Sequence, residues 1–132
     1  MTWEKFEKEI QKLASQITGT PDMIVGIVRG GIIPARLLSA KLRVKDMYCL
    51  TVKKYGKERK VASGITDDLH YKKVLLVEDM LETGKSLVVA KEYLESKGAI
   101  VTTVCLYTLP YSEIKPDYFV KEINEIVKFP WE

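Results

Sequence analysis

The stretch Val74-Leu75-Leu76-Val77-Glu78-Asp79-Met80-Leu81-Glu82-Thr83-Gly84-Lys85-Ser86-Leu87 decides the fold of this chain. Four consecutive aliphatic residues read as a strand buried on both faces, and such strands belong to parallel sheets covered by helices. The run stops at two acids. After Thr83-Gly84 a second pattern begins, in which Leu87, Ala90 and Leu94 recur at helical spacing until Gly98 closes it.

Working outward, Met23 to Val28 reads as another buried strand, turned by Arg29-Gly30-Gly31 into a helix that Pro34 opens and that runs to about Leu42. Before it, Trp3 to Ile17 shows helical spacing, with Thr2 as cap and Gly19 as stop. A strand from about Met47 to Val52 leads into Lys53, Lys54, Lys57, Arg59 and Lys60, five basic residues against Glu58, in a mobile loop or hairpin reaching about Asp68. On the far side, Ile100 to Tyr107 is strand-like, and Tyr118–Val120 and Ile126–Phe129 leave room for two short final strands. The expectation is one α/β domain over residues 1–132, a mostly parallel central sheet flanked by helices. Ligands then bind beyond the carboxyl ends of the strands, where the polar segments after Val28 and Val77 lie.

Composition narrows the classes. With 46% hydrophobic and 30% charged residues the chain can bury a core, which excludes disorder. A net charge of +3 is too mild for a dedicated nucleic-acid binder. No run approaches the roughly 18 apolar residues of a membrane span, and the start lacks a secretory profile, so a cytoplasmic location is expected. Cys49 and Cys105 lack metal or redox spacing and read as buried free thiols; His70, the single histidine, reads as structural. Trp3, Tyr48 and Tyr93 read as packing residues.

Adjacent carboxylates at a strand end are costly to bury, so Glu78 and Asp79 face solvent, accept hydrogen bonds from hydroxyls, or bind a metal. Thr83 to Ser86 open a helix whose free amides and positive dipole end favour a phosphate. Acids followed by an anion nest describe a phosphorylated sugar; the bland alternative is a capped helix after an ordinary strand. Gly84-Lys85-Ser86 also matches the end of a nucleotide-binding P-loop, but the glycine that pattern needs falls on Asp79, whose charge repels phosphate.

The stretch Val74 to Leu87 resembles the phosphoribosyl pyrophosphate (PRPP) motif of the type I phosphoribosyltransferases: hydrophobic strand, two acids, then Thr-Gly-Lys-Ser. Ile27-Val28-Arg29-Gly30-Gly31 resembles the family's pyrophosphate loop, and Phe129-Pro130-Trp131-Glu132 is similar to the end of small archaeal purine enzymes related to the xanthine, hypoxanthine and guanine phosphoribosyltransferases. The resemblance implies that fold with a small hood from about 108–132 plus the N-terminal helix. It implies transfer of phosphoribose from PRPP to a nucleobase, a 6-oxopurine, with Mg2+ as cofactor and a homodimer or homotetramer as the assembly. It places Glu78 and Asp79 on the ribose and metal, and Glu82 to Ser86 around the ribose phosphate. Arg29 and Gly30, with Lys53 and Lys54 of a loop that closes over PRPP, fall on the pyrophosphate. Glu82, Asp79 and Arg29 are the catalytic candidates. The base side falls on Leu109 and Ile126, where the family has a lysine and a stacking aromatic. These departures keep two alternatives in view: a PRPP-binding regulator without turnover, and a phosphoribosyltransferase for a different base.

Overall fold

A computed structural model describes residues 1–132. Helix α1 spans Trp3–Gln16, capped by the Thr2 hydroxyl, which accepts the Lys5 N–H at 3.1 Å. Strand β1 (Met23–Val28), helix α2 (Ile32–Leu42), strand β2 (Met47–Tyr55) and strand β3 (Glu58–Val61) follow. Then come β4 (Lys73–Val77), β5 (Met80–Leu81), α3 (Lys85–Ser96), β6 (Ile100–Val104), β7 (Tyr107–Thr108) and β8 (Lys121–Glu122).

The main sheet runs β3-β2-β1-β4-β6. Strands β2, β1, β4 and β6 are parallel, with Val25 opposite both Tyr48 and Leu76, and Leu76 opposite Thr103; β3 is antiparallel to β2. Alternation along β1 and β4 explains the uniform apolarity of their sequences. Val25, Ile27, Val74 and Leu76 face α3 and its Leu87, Ala90 and Leu94. Ile24, Leu75 and Val77 face Ala35 and Leu38 of α2 and Phe6, Ile10 and Leu13 of α1. Each such aliphatic side chain stabilises the fold by about 1.5–3 kcal/mol relative to exposure, so covering the sheet on both faces by helices is strongly favoured.

Four expectations are corrected. Strand β2 runs three residues past Val52; of the loop or hairpin expected for the basic segment the structure has the hairpin, turned at Gly56, because Val52, Lys53, Lys54 and Tyr55 find ladder partners in Val61, Lys60, Arg59 and Glu58. Neither Tyr118–Val120 nor Ile126–Phe129 is a strand. Tyr118 makes one bridge to Val104, and β8 begins at Lys121. The final segment packs by side chain instead of pairing: Phe129 lies between Tyr107, at 6.1 Å, and Trp131, at 4.8 Å. Cys105 is buried, but Cys49 is exposed, because Leu50 takes the inward position on β2.

A second sheet, β5-β7-β8, is parallel throughout and draws on Met80–Leu81 as well as the C-terminal third. It joins α1 through the Tyr107 hydroxyl, which donates to the buried Glu9 carboxylate at 3.0 Å, and through Trp131 packed edge-on against Phe6. No helix is long and apolar enough to cross a membrane.

Candidate active site

The carboxyl ends of β1, β4 and β6 meet at one cleft. Beyond β1 the Val28–Arg29 peptide is cis, and Gly31 N–H returns to the Ile27 carbonyl at 2.8 Å, folding the loop tightly before α2. Beyond β4, the Glu78 N–H donates to the Val104 carbonyl at 3.0 Å, and Leu106 N–H donates to the Asp79 carbonyl at 2.9 Å. Those bonds clamp the backbone of the acid pair to the end of β6.

Gly30 and Asp79 are the point of closest approach. A Cβ built on Gly30 would lie 2.6 Å from Asp79 Cγ, so only glycine leaves room for this carboxylate. Asp79 Oδ1 accepts the Met80 N–H at 2.6 Å, and Glu78 Oε1 accepts the Asp79 N–H at 3.1 Å. Burial, then the adjacent Asp79 charge, holds the Glu78 carboxyl well above the usual carboxylate range. Burial also raises Asp79, with a further contribution from Glu132. Two carboxylates that resist ionising side by side are suited to a cation or to hydroxyl donors.

The larger cavity, about 720 Å3, is lined by Arg29, Gly30, Glu78, Asp79, Met80, Trp131 and Glu132. A smaller one of about 160 Å3 shares Glu78 and Met80 and continues along Glu82 to Ser86. There Gly84 adopts φ +81° as the N-cap of α3, a conformation disfavoured for residues with a side chain, and it abuts Ser112 and Ile114. The first amides of α3 have no partners within the helix, which makes this end a seat for an anion.

The structure thus brings together Arg29, Gly30, Glu78, Asp79, Glu82, Thr83, Gly84, Lys85 and Ser86. It does not place the other candidates on these cavities. Lys53 and Lys54 are exposed on the hairpin, where Arg59, opposite Lys54, is the basic residue that lines the smaller cavity. Leu109 is buried beside Leu81, whose carbonyl accepts the Leu109 N–H at 2.9 Å, and it lines a separate cavity with Lys115 and Phe119. Ile126 is 62% exposed. His70 is exposed, beside Asp68 at 3.1 Å.

Sequence reasoning missed Met80, Trp131 and Glu132. Met80 lies between the acids and the glycine turn and carries no chemical signal of its own. Trp131 and Glu132 reach the cleft because Trp131 stacks on Phe129 and packs against Phe6, contacts with no local signal.

The acid pair also fits Mg2+. Its two adjacent carboxylates line the larger cavity, the kind of hard oxygen donors that would hold such an ion together with substrate oxygens.

Residues 2–132 match the family model described as phosphoribosyl transferase domain. A xanthine-guanine phosphoribosyltransferase of Cereibacter sphaeroides is 24% identical across the whole chain and 85% of that protein. Among solved structures, a purine phosphoribosyltransferase from Pyrococcus horikoshii superposes with a TM-score of 0.94 at 34% identity, covering 100% of this chain and 92% of that one. A xanthine-guanine-hypoxanthine phosphoribosyltransferase from Helicobacter pylori gives 0.90 at 26% identity, over 99% and 91%.

Proposed function

The chain belongs to the phosphoribosyl transferase family, and from that premise we propose that it transfers the phosphoribosyl group of PRPP to a 6-oxopurine, releasing pyrophosphate. In this reaction the bond from the anomeric carbon to the pyrophosphate oxygen breaks and one to a purine nitrogen forms. The nitrogen's proton leaves to a base. The observation that carries the reading is the contact of Gly30 with Asp79, which seats the two glycine loops around one acid pair.

In the proposed division of labour, Glu78 and Asp79 orient the ribose hydroxyls. Amides of Thr83 to Ser86 hold the 5-phosphate at the positive end of α3. Arg29 and the bared backbone at Gly30 take the charge that grows on the departing pyrophosphate. Glu82, exposed at the mouth of the smaller cavity, receives the base proton. Glu78 and Asp79 would also hold Mg2+, which when bound would further neutralise that charge. On the base side, Leu109 is buried and Ile126 is exposed, and neither side chain can make a hydrogen bond to the base. The proposal extends to a homodimer or homotetramer acting in the cytoplasm, with light scattering as the check on assembly.

The test is pyrophosphate release from PRPP and Mg2+, with hypoxanthine, guanine, xanthine, adenine, uracil and orotate offered separately. Turnover is expected with an oxopurine, and loss of about a hundredfold or more in Asp79→Asn and Arg29→Ala without unfolding. Silence with all six bases beside measurable PRPP binding would overturn the reading in favour of a regulator; turnover with adenine or a pyrimidine alone would reassign the base.

A further inference from the structure

Of the five basic residues between Lys53 and Lys60, four stand exposed. Arg59 is half-buried and lines the small cavity with Glu82, Thr83, Gly84, Lys85 and Ser86. It pairs with no carboxylate; the ion pair within the hairpin is Lys60 with Glu58, at 4.0 Å. A guanidinium offers two parallel N–H groups in a rigid fork, the geometry that grips phosphate oxygens.

What sets the reach of Arg59 is the segment just after β3. Strand β3, the return limb of the hairpin, is an edge of the sheet, with β2 its one strand neighbour. The return limb is tied first to β2, by the Ala62 N–H on the Thr51 carbonyl at 2.8 Å and the Thr51 N–H on Ser63 Oγ at 3.1 Å. It is then pinned to α3. The buried Ile65 donates its N–H to Tyr93 Oη at 3.0 Å, and its carbonyl accepts from Lys97 Nζ. Tyr93 comes so near that a Cβ on Gly64 would lie 2.6 Å from its hydroxyl oxygen. Tyr93, which reads as a packing residue in the sequence, is thus a hydrogen-bonded anchor. Tyr93 and Lys97 stand at the far end of the helix whose first turn borders the cavity of Arg59. One rigid helix governs both the anion seat and the footing of the strand that carries the guanidinium.

We propose that Arg59 contacts substrate, closing on the sugar 5-phosphate held at Thr83–Ser86, and that Tyr93 is the positioning residue that sets its reach by pinning Gly64–Ile65. The proposal rests on the reading of Thr83–Ser86 as the phosphate seat.

The test uses ribose 5-phosphate, which carries the 5-phosphate without pyrophosphate, and inorganic pyrophosphate with Mg2+ as a separate probe, both titrated by NMR. Arg59→Ala is expected to weaken ribose 5-phosphate about ten- to a hundredfold and to leave pyrophosphate within about twofold. Arg59→Lys, which keeps charge but loses the fork, recovers part of the loss. Tyr93→Phe is expected to raise KM for PRPP several-fold at constant kcat and to add nothing when Arg59 is already alanine, since residues acting as a unit are not additive. Unchanged ribose 5-phosphate affinity in Arg59→Ala, or loss confined to pyrophosphate, overturns the role of Arg59. Additive effects overturn that of Tyr93. If the wild-type protein binds neither PRPP nor ribose 5-phosphate, the family reading of the site itself fails, an outcome separate from these.

Discussion

Replacing Gly30 with alanine perturbs the joint between the two loops at a single atom. The added Cβ would lie 2.6 Å from Asp79 Cγ and 2.7 Å from its Oδ1. Carbon atoms rest about 3.5–4.0 Å apart, so the carboxylate must retreat by about 1 Å. Retreat strains the 2.6 Å bond that Asp79 Oδ1 accepts from the Met80 N–H. Gly30 does not use left-handed backbone, so alanine adds no conformational penalty there, and the effect falls on the carboxylate. A shift of about 1 Å in a positioning group costs about a hundredfold in rate, about 2.7 kcal/mol of barrier. Pyrophosphate release at saturating PRPP and Mg2+ measures this, with a thermal melt to show that the variant is folded. A folded Gly30→Ala enzyme turning over within about threefold of wild type would refute the idea that this contact holds the acid in place.

The neighbouring glycine behaves differently. A Cβ on Gly31 meets the Val77 carbonyl oxygen and comes within 2.8 Å of the Ile27 nitrogen, both backbone, so Gly31→Ala should lose about 1–3 kcal/mol of stability in urea denaturation; an unchanged midpoint contradicts the packing. Because burial and Asp79 raise the Glu78 carboxyl, the folded state holds that proton more tightly than the unfolded one. Stability therefore falls as pH rises from the ordinary carboxylate range through the folded value. Glu78→Gln removes this decline and should melt above wild type at neutral pH in chelator, the gap closing in acid. A gap that does not vary with pH counts against it. Tyr107→Phe removes the 3.0 Å bond to the buried Glu9 carboxylate and should cost about 1–3 kcal/mol in the same urea experiment, where an unchanged midpoint assigns the bond no weight.

The strands and helices that frame the cleft were legible because their signals are local. Val74–Val77 is uniformly apolar and is buried on both faces, while Leu87, Ala90 and Leu94 mark the inner face of α3 by spacing alone. Glycine and acid positions around the anion seat were legible for the same reason. Strands of two residues, Met80–Leu81 and Lys121–Glu122, are too short to show a period. The tail misled for a different reason: Ile126–Phe129 has strand-like composition, but Phe129 and Trp131 satisfy themselves against Tyr107 and Phe6 from distant parts of the chain. The hairpin charges read as one group in the sequence. Which of them turns toward the cavity depends on the ladder register and on the anchor at Ile65, and both are non-local.

The most direct test of the central claim is the stoichiometry of a single reaction: hypoxanthine, guanine or xanthine incubated with PRPP and Mg2+, with nucleotide and pyrophosphate quantified together. The account predicts one nucleoside monophosphate for each pyrophosphate with at least one of these bases, and both products formed about a hundredfold or more slowly by Asp79→Asn. Pyrophosphate without nucleotide, or equal product from the variant, would contradict it.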